Sequence, residues 1–259
     1  MEIDNFDIFR KHLSFVEKTD RYIVHILRRP KDLMSDPEMM KIGSNEHQRL
    51  LRTYYIDSLE YFDRKISAIK ELCTTNKARA YILPQVRNNY ECLLNLGEKV
   101  LETIRLGNAS VKPEHLLRSA YCEYKKSRNK QWIIDLDEDC MKEPLVDHNN
   151  FPTGNKTWTI DEVIALIKGE IDRVEKPNAA KKKSDEVYVV PTKNGTHIIT
   201  PPFDLQSAFK KCSLMFEGVK KIPVKVNYVG PYNEELVYKQ FTGWLHKDGM
   251  SLLYCNLPD

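Results

Sequence analysis

A mixed α/β fold is expected from three features of the 259-residue sequence. Residues 1–75 carry apolar side chains at helical spacing, while later stretches are short β-prone runs set off by Pro, Asn and Gly. One of those runs ends in Asp135-Leu136-Asp137, and another follows the pair Asn194-Gly195. A chain of this length can bury a sizeable core as one large domain, or as a compact domain with a helical appendage.

The bulk composition narrows the class without naming a chemistry. Apolar residues are 41% and charged residues 30% of the chain, as in ordinary globular proteins. The net charge of +3, from 40 basic and 37 acidic residues, is too slight to act as a whole-surface field, so any polyanion has to be met by a local patch. No apolar stretch is long enough to span a bilayer, and Met1-Glu2-Ile3-Asp4 lacks the basic and apolar regions of a signal peptide. A cytoplasmic location without membrane partners is the expectation. Six scattered cysteines, at 73, 92, 122, 140, 212 and 255, show neither a C-x-x-C pair nor zinc-ligand spacing and read as free thiols.

Taken in order, Ile3, Phe6, Phe9, Leu13, Val16, Ile23 and Leu27 suggest a first helix that breaks at Arg29-Pro30 and Asp36-Pro37. Leu51, Tyr55, Leu59, Phe62, Ile66 and Ile69 suggest a second. A strand is expected from Ala78 to Leu83, ending at Pro84, then helices from about Tyr90 to Leu106 and Pro113 to Lys126. Gln131 to Asp137 reads as a strand ending in acid, followed by an irregular loop holding Pro144, Pro152 and Gly154. Thr159 and Glu162 stand at capping-box spacing and open the next helix. The small, basic run from Glu175 to Lys183 reads as an exposed loop. Val187 to Val190 and Thr196 to Ile199 flank Asn194-Gly195 as a hairpin, and Ile222 to Val229 and Met250 to Cys255 are further strands. No internal repeat is evident.

Two constellations carry chemistry. Residues two apart on a strand share a face, so Asp135 and Asp137 can project together and share a hard divalent cation such as Mg²⁺. An isolated D-x-D more often begins a solvated loop, but the apolar run before Asp135 would deliver these carboxylates from a buried strand. His197 follows the Asn194-Gly195 turn; a lone histidine there is commonly structural, yet Lys193 at the same turn adds a charge that could approach a phosphate.

The order of these pieces resembles the archaeo-eukaryotic primase superfamily, especially the compact primase-polymerases of phages and mobile elements. The matching parts are the strand Ala78 to Leu83, the helix after Tyr90, Trp132-Ile133-Ile134-Asp135-Leu136-Asp137, Asn194-Gly195-Thr196-His197-Ile198-Ile199 and His246-Lys247-Asp248-Gly249-Met250-Ser251-Leu252-Leu253-Tyr254. The resemblance implies a catalytic core over 76–259 with an RRM-like mixed sheet, preceded by a helical region over 1–75. It further implies Mg²⁺ or Mn²⁺ held by Asp135 and Asp137, with His197, Lys193 and Asn194 at the incoming nucleotide. Arg79, Arg87 and Lys247 are further candidates for phosphate or template contact, each equally well read as ordinary surface charge. The expected activity is template-directed nucleotidyl transfer, as a DNA primase in replication, from nucleoside triphosphates on a single-stranded template; a helicase partner follows only from family habit.

One departure from the family pattern bears on activity. The segment where the family carries a third carboxylate, Gln240-Phe241-Thr242-Gly243-Trp244-Leu245, has none. Asp248 is the first substitute, Glu235 the second and Glu234 the third. A catalytically inactive nucleic-acid or protein-binding factor on the same fold is therefore the alternative, and a metal-dependent nuclease a more distant one.

Overall fold

The computed structural model describes residues 2–29, 50–108, 110–124, 126–137, 142–146, 152–157, 159–174, 183–204, 215–217, 242–246 and 250–256. The chain divides into two compact units, one formed by Met1–Lys130 with Met250–Asp259 and the other by Gln131–Gly249. Expected elements at Ile222 to Val229 and over most of the run from Glu175 to Lys183 lie outside the described residues. Lys183 itself opens a short 3₁₀ turn, Lys183–Glu186.

The first unit is a five-stranded antiparallel sheet. Its strands are β1 (Glu2–Asp4), β2 (Asp20–Leu27), β3 (Leu50–Ile56), β4 (Arg79–Asn88) and β12 (Ser251–Asn256), in the spatial order β1-β12-β4-β2-β3. Among the described residues four helices accompany them: α1 (Phe6–His12), α2 (Leu59–Thr75), α3 (Asn89–Arg105) and α4 (Pro113–Cys122). On one side Phe6 of α1 packs on Phe62 of α2 and on Tyr254 of β12, with ring centroids 5.5 and 6.2 Å apart. Ile23 and Leu83 of the sheet meet Cys92 of α3 and Tyr121 of α4 in a separate buried cluster.

The N-terminal region therefore differs from the expected helical pair. Only Phe6–His12 of the first stretch is helical, and Asp20–Leu27 is a central strand. The reason lies in Tyr22-Ile23-Val24-His25-Ile26, which is buried on both faces. An apolar run with no solvent face matches every periodicity, and its aromatic and β-branched content favours the extended chain. Likewise Leu51 and Tyr55 belong to β3, and the helix starts only after Ser58, whose hydroxyl accepts from the Tyr61 N–H at 3.1 Å.

β4 runs through Pro84 instead of stopping there. Its pairing with β2 shifts register between Arg21 and Ile23, where Pro84, Gln85 and Val86 stand against Tyr22 alone, a bulge of β4 that takes in the missing N–H of Pro84. Just beyond it, Asn129 accepts from the Val86 N–H at 2.8 Å and the Ser127 hydroxyl donates to the Val86 carbonyl at 2.9 Å. Nearby, Asp20 is buried, yet its carboxyl is held below the usual carboxylate range. Burial alone would raise it; hydrogen bonds from Arg128 and from the Glu17 and Val16 N–H groups outweigh that.

In the second unit β10 (Met215–Glu217), β11 (Thr242–His246), β5 (Trp132–Asp137), β9 (Gly195–Thr200) and β8 (Tyr188–Pro191) form a sheet in that order, parallel at β10–β11 and otherwise antiparallel. The expected irregular loop is instead a hairpin of β6 (Lys142–Val146) and β7 (Pro152–Thr157). Its prolines are tolerated because both strands are edges and need not donate outward. α5 (Ile160–Val174) opens on the expected capping box: the Thr159 N–H donates to Glu162 Oε2 at 2.9 Å, and the Glu162 N–H to Thr159 Oγ1 at 3.2 Å. Among the described residues no helix is long and apolar enough to cross a membrane. Cys73, Cys92 and Cys122 are free, and burial pushes the Cys73 and Cys92 thiols up to about 12.

His25 makes the first unit acid-sensitive. Burial, helped by the charge of Arg118, lowers its imidazole from the ordinary 6.5 to about 4, while Nδ1 sits 2.8 Å from the Thr53 hydroxyl. Below pH 6.5 the unfolded chain takes up a proton that the folded chain refuses. Its contribution to stability is therefore full above about 6.5 and falls until about pH 4, by on the order of 3 kcal/mol. Urea unfolding across this window is expected to show that slope, and His25→Phe to flatten it; an unchanged slope in the variant would assign the acid sensitivity to other groups.

Candidate functional site

The candidate site lies on the second unit's sheet, where β5 is flanked by β9 on one side and β11 on the other. Asp135 pairs directly with His197 across the β5–β9 ladder, and Asp137 with Gly195. Directly opposed residues on neighbouring strands present their side chains on one face. His197 Nε2 accordingly stands 3.4 Å from Asp135 Oδ1, with the imidazole 13% and the carboxylate 31% exposed. The carboxylate thus keeps access to solvent, and the ring is largely walled in.

The strand is held by its apolar positions. Ile133, Ile134 and Leu136 are buried, as are Ile198 and Ile199 facing them, so Asp135 is the one partly open side chain between two buried ones. Val190 of β8, paired with His197 on its far side, is fully buried and closes that flank. Aromatic contact between Trp132 and Phe203, 5.6 Å between centroids, anchors the start of β5.

The β8–β9 turn is displaced by one residue from its expected place. The Thr192 N–H donates to the Gly195 carbonyl at 3.0 Å, so Lys193 and Asn194 form the tip and Gly195 already belongs to β9. Neither tip residue has a positive φ. The mirror-image turn that makes Asn-Gly favourable is therefore not used. Both Lys193 and Asn194 are exposed. This end of β9 is also the end where Asp137 pairs, so the turn and the acidic strand end are neighbours in register.

On the opposite flank β11 brings Trp244 into register with Asp135 and His246 with Ile133. This is the segment noted in the sequence as lacking a carboxylate, and it is the direct neighbour of the D-x-D strand. The position facing Asp135 is held by tryptophan, a placement that residue spacing alone did not reveal.

The other expected site residues are distributed as follows. Arg79 and Arg87 are on β4 of the first unit and are buried, unlike surface charge; Arg87 lies 5.7 Å over the Tyr124 ring and 3.5 Å from Gln85 Oε1. Lys247, Asp248, Glu234 and Glu235 lie outside the described residues, and for Asp137 the strand position alone is described. The strand beginning at Ser251 belongs to the first unit's sheet, paired with β1 and β4.

A divalent cation is chemically compatible with what is present. Asp135 offers hard oxygen donors at a partly open position, with Asp137 two residues further along the same strand. Among the described residues no three His, Cys, Asp or Glu side chains gather into a metal-holding group.

No protein-family model, curated protein or solved structure matches the chain.

The partly open position of Asp135 at the sheet surface predicts that Asp135→Asn combined with Asp137→Asn leaves the fold intact, with stability changed by no more than about 1 kcal/mol. Thermal unfolding of the double variant checks this. A large loss of stability would make the pair structural.

Proposed function

We propose that the chain is a template-directed nucleotidyltransferase of primase-polymerase type. The observation that carries this reading is the register of β5 on β9, which sets Asp135 directly beside His197 on adjacent strands. Two of the five segments that carry the sequence resemblance to the primase superfamily contain these residues, and those two segments pair as adjacent strands. An RRM-like primase sheet belongs to the same proposal.

In this reading Asp135 and Asp137 hold the divalent cation. Bound Mg²⁺ or Mn²⁺ supplies charge neutralisation at the triphosphate and lowers the cost of the charge that develops during transfer. The chain's own groups act around it. His197, held by the buried residues beside it, points an N–H at a phosphate oxygen, and its fixed ring loses little freedom on binding. Lys193 at the exposed turn adds a positive charge that draws the triphosphate to this end of the sheet. The 3′-hydroxyl of a primer on a single-stranded template attacks the α-phosphorus in line, and pyrophosphate leaves.

A second reading, a non-catalytic nucleic-acid-binding factor, is favoured by one specific observation. β11 faces Asp135 with Trp244, where a further carboxylate would complete the site, and an aromatic side chain is a group on which bases stack. The two readings differ in what Asp135 is for.

Labelled nucleoside triphosphates, a primed single-stranded template and Mg²⁺ or Mn²⁺ give the direct test. Incorporation is expected, and Asp135→Asn with Asp137→Asn should abolish it while template binding survives. His197→Ala should weaken apparent nucleotide affinity by about 1–3 kcal/mol with template affinity unchanged. Absence of incorporation with either metal, alongside template binding that Trp244→Ala reduces, would overturn the enzyme in favour of the binding factor.

A further inference from the structure

Helix α3 is turned the wrong way round for a helix on the surface of a monomer. An ordinary surface helix buries its apolar stripe and shows its polar side. Here the side turned to the rest of the unit includes Cys92, which joins the core, and Lys99, whose ammonium meets Glu123 at 2.6 Å, while Tyr90, Leu93, Leu94, Val100, Leu101 and Ile104 are exposed. Among the described residues nearly all the large apolar side chains left exposed lie on this helix or at its C-cap.

The pattern has a centre. Tyr90 and Ile104 lie seven residues to either side of Gly97, Leu93 and Leu101 four, and Leu94 and Val100 three. These spacings put all six on one face with Gly97 in its middle. A Cβ built at Gly97 would meet nothing within 4 Å, so the glycine is not demanded by its own fold, and it leaves the midpoint of the face open to close approach. Of the charged groups at the two ends, Glu91 stands near the helix N-terminus, 3.8 Å from Lys126, and Arg105 stands at the C-terminus three residues after the exposed Glu102.

We propose that this face is the interface of a homodimer, in which a second copy lays its own α3 antiparallel across it about a two-fold axis at Gly97. A two-fold contact is self-complementary. It would set Tyr90 against the partner copy's Ile104, Leu93 against Leu101 and Leu94 against Val100, with the two glycines meeting where the helices cross. The same operation brings Glu91 of each copy towards Arg105 of the other, the arrangement an antiparallel pair needs and a parallel one lacks. Glu98, beside the axis, would meet its own copy, a like-charge contact that a different partner would not produce.

Sedimentation equilibrium of the full chain tests the assignment. The expected result is a reversible dimer that Leu94→Glu with Leu101→Glu weakens at least about tenfold and that Glu98→Gln tightens. Because the double variant introduces charge, a second test leaves the stripe intact: Gly97→Cys on a Cys122→Ser background should form a disulfide-linked dimer under mild oxidation, whereas Lys112→Cys on that background should not. A wild-type chain that remains monomeric at every concentration overturns the proposal. So does a dimer that the Gly97→Cys variant fails to cross-link, in which case the face belongs to a different partner.

Discussion

Everything at the candidate site hangs on the register of β5 against β9. Side chains alternate along a strand, so a slip of one residue would send Asp135 to the other face and bring Ile134 or Leu136 to its place beside His197. The slip is opposed by burial on both sides of the Asp. Ile133 and Ile199 face each other, as do Ile134 and Ile198, and all four are buried. Each such side chain contributes about 1.5–3 kcal/mol when withdrawn from water, and a shifted ladder would expose several together. The tight Lys193-Asn194 turn fixes the neighbouring β8–β9 pairing in the same way, since a two-residue loop allows only one pairing of the strands it joins. The acid is therefore positioned by its apolar neighbours.

Much of this was legible in the sequence because the signals were local. Thr159 and Glu162 stand three apart and cap α5 reciprocally, as that spacing implies. The apolar run before Asp135 and the turn before His197 each announced a strand. What the sequence did not disclose was strand order. Nothing in Gln240 to Leu245 says that it will lie against Asp135, because pairing between strands so far apart depends on the whole sheet.

The N-terminal expectations failed for a complementary reason. β2 is a central strand apolar on both faces, so its residues satisfy the three- and four-residue steps of a helix as well as the two-residue step of a strand. Length and β-branching were the better guides. At β3 the apolar stripe ran on into a true helix, and the boundary was marked only by Ser58, a small residue whose hydroxyl caps the new turn. Pro84 misled in the opposite sense, because the bulge beside it lets the strand continue without the missing N–H.

The place of β12 in the first sheet has a consequence for how the chain matures. β12 pairs with β1 on one side and β4 on the other, yet it is made after the whole of Gln131–Gly249. During synthesis β1 has no strand to pair with, and β4 is an open edge that can recruit a neighbouring chain. Closing so long a disordered insertion costs about 4 kcal/mol of loop entropy, but an insertion already folded presents its two ends as a short connector and removes most of that cost. The second unit is thus favoured to fold first and to deliver β12 to the first sheet. A ribosome-bound chain halted before Met250 would expose that open edge, and a chaperone that shields strand edges would find its substrate there.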